Sequence, residues 1–150
     1  MRFLTAIPTG SPPAFVLDVS LGAAWGIPTR YTVYAHSVQS RLAFGSGAVV
    51  ATNWPLDVFD ELLSAVGRGE TTHPRLDTTL VNLSRYPIYL APDAPYRASP
   101  EVLHLARTYG IPARDAASLD LALRLNLPLA TIDPALSRAA GAAGVPIFTP

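Results

Sequence analysis

Residues 111–136 read IPARDAASLDLALRLNLPLATIDPAL, and a change of period inside them decides the fold class. From Ala113 to Asn126 small and apolar residues recur three and four apart, the spacing of a helix with one buried stripe. PLAT (128–131) is then a short apolar run of strand length. Asp133 and Pro134 open another helix, reaching about Ala143, with an acid that can cap and a proline suited to the first helical position. Helix, strand and helix joined by short connections form the repeating unit of an α/β domain with a mostly parallel sheet.

The same alternation runs outward from this block. AFVL (14–17) reads as a strand ending at Asp18, followed by a short helix from Ser20 to about Ile27. Thr29 is expected to cap a longer helix reaching about Phe44. The turn Gly45-Ser46-Gly47 leads into AVVA (48–51), a second buried strand. Pro55 begins a helix to about Arg68, ended by Gly67 and Gly69. Leu56, Phe59 and Leu63 are expected to share its inward face. A helix over 73–85, the strand IYL (88–90) and a helix opened by Ser99-Pro100-Glu101 and stopped at Gly110 follow. VPIF (145–148) closes the chain as the last strand. Residues 1–13, proline-rich, read as a loose extension, and 14–150 as one domain.

Composition narrows the chemistry. In 150 residues, 49% are hydrophobic and 15% charged, which suits a packed globule and excludes disorder. Net charge is zero, against a broad electrostatic grip on nucleic acid. All 11 basic residues are arginine, so positive contacts use planar guanidinium forks that suit phosphate and carboxylate. Without cysteine there is no disulfide, thiolate metal site or thiol nucleophile. Without lysine there is no phosphate-binding P-loop. GSGAVV precedes a strand instead of following one, so it is no dinucleotide fingerprint. His36, His73 and His104 lack metal-ligand spacing and read as surface or packing histidines. No apolar run reaches the roughly 18 residues a membrane helix needs, and a cytoplasmic location is expected.

The acids are arranged more tellingly. Asp18 follows a strand, Asp133 follows PLATI, and Asp57 and Asp115 lie in the first turns of helices. Each alone is accounted for by capping or by the helix dipole. In an open parallel sheet, however, ligand sites gather outside the carboxyl ends of the strands, and all four acids converge there. Clustered carboxylates repel unless a cation joins them. Oxygen donors alone favour Mg²⁺ or Mn²⁺ over zinc, and such ions serve phosphoryl chemistry. Asp120 is expected to pair with Arg124 at i,i+4, and Glu61 to be solvated or paired with arginine at the surface.

FVLDVS (15–20), NWPLDVFDELLSAVGRGE (53–70), residues 111–136 and AGVPIF (143–148) together resemble the PIN-domain ribonucleases of the VapC toxin type, over about residues 14–148. The resemblance implies a single PIN-like domain with a central five-stranded parallel sheet flanked by helices. It implies an acidic site for Mg²⁺ or Mn²⁺ and hydrolysis of single-stranded RNA by the toxin half of a toxin–antitoxin pair. It further implies a homodimer, and an antitoxin whose C-terminal segment covers the site. By position, Asp18 matches the first acid and Ser20 the hydroxyl two residues on; Asp115 and Asp133 match the third and fourth acids. Thr131 matches the hydroxyl two residues before the last of these. Asp57 occupies a helix slot usually held by glutamate, where it contributes directly or through a water. Asp60 stands where asparagine is usual and adds either affinity or repulsion. Arg30, Arg41, Arg68 and Arg114 are candidate RNA backbone contacts, and Trp25, Tyr31 and Tyr34 candidates for an antitoxin groove, core packing being the other fate of Trp25. The alternative is a PIN-like binding module with weakened catalysis.

Overall fold

The computed structural model describes residue 10 and residues 12–91 and 99–150. The expected loose extension, 1–13, falls outside the described residues except at positions 10, 12 and 13. Four short strands, β1 (Phe15–Leu17), β2 (Ala48–Val50), β3 (Ile88–Leu90) and β4 (Leu129–Ala130), pair in parallel in the order β3-β2-β1-β4. The helices among the described residues are α1 (Val19–Ala24), α2 (Val33–Ala43), α3 (Trp54–Gly67), α4 (His73–Leu83), α5 (Pro100–Tyr109), α6 (Ala113–Leu125) and α7 (Pro134–Ala142). None is long and apolar enough to cross a membrane.

Alternation along the strands divides the interior in two. Phe15, Leu17, Ala48, Val50, Ile88 and Ala130 pack with residues of α1 to α4, among them Leu21, Leu42, Trp54 and Leu83. Val16, Val49 and Leu129 point the other way, onto Val102 of α5, Leu119 of α6 and Leu136 of α7. Strands covered on both faces need continuous apolar runs, and these strands have them.

The sheet has four strands, not five. Residues 145–148 run beside β4 but make only the single bridge Leu129–Ile147. Leu129 N donates to Pro146 O at 2.9 Å and Phe148 N donates to Leu129 O at 2.9 Å. In a parallel ladder the next donor toward β4 would be residue 146, and proline has no N–H to offer. The expected strand therefore stops at one bridge.

Two local expectations also change. Pro28–Arg30 form a separate 3-10 turn that takes up Thr29, and Thr32 caps α2 instead, its Oγ1 accepting from Ala35 N at 3.1 Å. On α3 the buried stripe is Trp54, Val58, Leu62 and Ala65, whereas Leu56 and Leu63 are 67% and 52% exposed. Glycines select that face. A Cβ on Gly22 would stand 2.6 Å from Trp54 Cζ2 and 2.9 Å from Val58 Cγ2, and one on Gly26 2.6 Å from Leu62 Cδ2. The helices approach so closely only where α1 and its end lack side chains. Gly22→Ala is accordingly expected to destabilise the fold. Overpacking a core costs about 1–3 kcal/mol, more than the roughly 1 kcal/mol of helix propensity that alanine adds. Gly67→Ala, with open space around it, is the control; urea unfolding midpoints should fall for the first and not for the second.

Candidate functional site

The strand order reverses at β1, with β2 and β3 to one side and β4 to the other. The crevice beyond the carboxyl ends of β1 and β4 is thus the topological switch point. Asp18 stands at its floor, 2% exposed, capping α1. Its Oδ2 accepts from Ser20 N at 3.1 Å and from Thr131 Oγ1 at 2.9 Å. Since Thr131 gives its one proton to Asp18, the Ser20 hydroxyl, 3.2 Å away, donates to Thr131. Ser20 Oγ in turn accepts from Ile132 N at 3.1 Å, and Thr131 Oγ1 from Asp133 N at 3.0 Å. Asp133 caps α7 through Leu136 N, 2.7 Å from its Oδ1. Two hydroxyls therefore stitch the β1–α1 junction to the β4–α7 junction.

Thr131→Val keeps the shape and removes that donor. Leaving buried partners unsatisfied costs about 1–3 kcal/mol, so the variant should unfold at clearly lower urea concentration than wild type.

Asp115, in the first turn of α6, is 8% exposed and has its pKa pushed up to about 6. Burial is the main cause; the charges of Asp18, Asp133 and Asp57 add to it, and Arg114 opposes it. Arg114 Nε lies 3.6 Å from Asp115 Oδ1. The other three acids picked out in the sequence thus all bear on Asp115 at the same sheet edge. Burial likewise raises the pKa of Asp18, against the hydrogen bonds from Ser20 and Thr131. Asp57 lies half-buried in the first turn of α3 and accepts at Oδ2 from Asn53 Nδ2.

The partners sort the acids. Asp18, Asp57 and Asp133 are held by hydroxyls, an amide side chain and a backbone N–H, all neutral. Glu61 and Glu70 share Arg30 and Arg68, with Arg30 Nη1 2.6 Å from Glu61 and Arg68 Nε 2.6 Å from Glu70. Asp120 accepts from Arg124 Nε at 2.8 Å, as the i,i+4 spacing predicts. Outside the crevice, Glu61, Glu70 and Asp120 meet arginine; within it, Asp18, Asp57 and Asp133 meet neutral partners, and Asp115 lies 3.6 Å from Arg114.

Asp60 is not brought to this group. It is exposed on the side of α3 that carries Leu56 and Leu63, and is not among the charges that bear on Asp115. Arg30 and Arg68 are committed to glutamates. Trp25 is buried with its Nε1 donating to Ala35 O at 2.9 Å, and Tyr34 Oη donates to Phe148 O at 2.8 Å; Tyr31 is exposed. All three histidines are exposed. Asn53 was missed by sequence reasoning. An asparagine four residues before an acid at a helix start is the signal that could have found it.

The chain matches no protein-family model and no curated protein. The crevice must therefore be judged on its own donors. They are all oxygen, and one of them, Asp18 Oδ1, is buried without a hydrogen-bond partner. An orphaned carboxylate oxygen among like charges fits a hard divalent cation. As placed, however, no three His, Asp or Glu side chains among the described residues stand close enough together to hold one ion. The acids share a field without sharing a coordination distance.

Proposed function

We propose that this chain is a metal-dependent ribonuclease of PIN-like type, hydrolysing phosphodiester bonds of single-stranded RNA as the toxin of a toxin–antitoxin pair. The observation that carries the chemistry is Asp18. Its Oδ1 is buried and unpartnered, and its charge, with those of Asp57 and Asp133, bears on Asp115 at the same sheet edge. RNA as substrate, an antitoxin partner and a homodimer rest on the resemblance of residues 14–148, and a cytoplasmic setting on the short apolar runs of the sequence.

Asp18, Asp115 and Asp133 would hold Mg²⁺ or Mn²⁺, with Asp57 reaching it directly or through a water. Such an ion stabilises charge on the phosphate and makes water a better nucleophile. The chain's own groups prepare that site. Thr131 and Ser20 fix Asp18 by neutral hydrogen bonds, which orient a carboxylate without cancelling its charge. With Arg30 and Arg68 turned to Glu61 and Glu70, exposed Arg41 and Arg114 remain as candidates for the RNA backbone, and Arg114 stands at the site itself.

The test is cleavage of a labelled single-stranded RNA by the full chain with Mg²⁺, Mn²⁺ or EDTA. Ion-dependent cleavage abolished by EDTA supports the reading; cleavage indifferent to EDTA overturns it. The wider spacing of the acids favours one other reading, a PIN-like binding module with weakened catalysis. A silent wild-type chain that becomes active as Asp57→Glu would decide for it.

A further inference from the structure

Between α2 and α4 lies a small cavity of about 20 Å³, lined by Trp25, Gln39, Thr79, Asn82, Leu83 and Tyr86. None of these residues belongs to the acidic crevice. Thr79, Asn82 and Leu83 stand three and four residues apart on one face of α4, and Gln39 comes from α2 on the other side. A cavity needs roughly 10–15 Å³ of this kind of space to admit one water. This one therefore takes a single water-sized guest and no organic ligand.

The lining decides which guest. Trp25 gives its one donor to Ala35 O, 2.9 Å away. Thr79 gives its proton to Arg75 O at 2.8 Å and offers the cavity lone pairs alone. Tyr31 Oη donates to Gln39 Oε1 at 2.7 Å, which leaves the Nε2 of that amide as a donor toward the cavity. Tyr31 has only one proton, so His36 Nδ1, 2.9 Å from its hydroxyl, is a donor too. A hydrogen-bond chain of one polarity thus runs from His36 through Tyr31 and Gln39 to the cavity. Asn82 adds a donor and an acceptor, and the Tyr86 hydroxyl can act as either, its ring standing edge-on to Trp25 at 6.2 Å. A cation there would meet N–H donors, and an anion would meet lone pairs. Water, with two protons and two lone pairs, satisfies both.

We propose that this cavity is a binding site for one ordered water, which accepts from the Gln39 amide of α2 and bonds to Asn82 and Thr79 of α4. The water joins two helices across a gap too narrow for another side chain, and it ends the chain that begins at His36. Buried waters of this kind make about three hydrogen bonds to groups otherwise left without a partner, and this lining supplies that number.

The experiment is a crystal structure of the full chain at a resolution that shows ordered water, for wild type, Gln39→Leu and Asn82→Leu. Wild type is expected to show one water within about 2.7–3.2 Å of Gln39 Nε2 and of a polar atom of Asn82 or Thr79. Each leucine removes one side of the site and fills its space, so the water should be lost from both variants. The two substitutions lie on different helices, so if one chain does not fold the other decides. A wild-type cavity without water, a water that touches only one helix, an ion in its place, or a water retained in a folded leucine variant overturns the proposal. The polarity of the chain has a readout in solution. Nitrogen resonances of neutral His36 should place its proton on Nδ1, and a proton on Nε2 alone would reverse the chain and overturn the donor role of Gln39.

Discussion

Replacing Asp18 with alanine is expected to lower Mn²⁺-dependent RNA cleavage by at least about a hundredfold while the chain stays folded. Loss of a residue that only supports a metal ligand costs about 10–100-fold, and Asp18 is read as a ligand. The fold should survive because leaving Ser20 N and the Thr131 hydroxyl unsatisfied costs about 1–3 kcal/mol, and burial of the Asp18 carboxylate is itself unfavourable. Capping by Asp18 is worth about 1 kcal/mol, a small share of a domain's stability. Cleavage rates at saturating Mn²⁺, with far-ultraviolet circular dichroism as the folding control, decide the matter. A folded Asp18→Ala chain that cuts as fast as wild type would remove Asp18 from the chemistry and with it the proposed site.

Asp115→Asn should act in opposite directions on stability and on activity. In EDTA at pH 7 the variant is expected to be more stable than wild type. The pKa of Asp115 is raised from 3.8 to about 6, so between these values the folded state binds more protons than the unfolded one. Stability from this group is therefore greatest below about pH 4 and declines as pH rises, the loss being complete above about pH 6. About two pKa units at 1.36 kcal/mol each set the effect at roughly 2–3 kcal/mol, nearly all of it relieved by the neutral, isosteric asparagine. The gap between variant and wild type should close at pH 4. A cation reverses the sign for wild type, since ion and proton compete for the same oxygens; Mn²⁺ affinity should fall as pH drops below about 6. Urea unfolding of both proteins at pH 4, 5.5 and 7, with and without Mn²⁺, checks all three statements. Equal stability at pH 7 in EDTA would mean that the acids do not press on one another as described.

The four acids of the crevice were legible because each sits where a strand ends or a helix begins, and parallel topology sends such positions to one edge. The pairing of Asp120 with Arg124 followed from helical spacing alone. Asp60 and the inward face of α3 were not legible in this way. In WPLDVFDELL, two apolar stripes compete, Leu56-Phe59-Leu63 and Trp54-Val58-Leu62, and both have helical spacing. Only the close approach of Gly22 and Gly26, distant in sequence, selects the second stripe. Rotating the helix onto that stripe turns Asp57 toward the crevice and carries Asp60 outward with Leu56 and Leu63.

By itself the sequence determined the α/β class, the four strand segments, the helix starts at Asp18, Ser99 and Asp133 and the acids at the carboxyl edge, because these depend on periods and neighbours a few residues apart. Tertiary structure decided how far the sheet extends beyond β4, which side of α3 is buried and which partner each acid receives. Those outcomes depend on contacts between segments tens of residues apart: Thr131 reaching back to Asp18, Arg30 reaching Glu61 and Glu70, and a missing N–H at Pro146 that matters only once residues 145–148 lie beside β4. Local pattern can place a carboxylate at an edge, but whether it meets a hydroxyl, an amide or a guanidinium there is settled by packing.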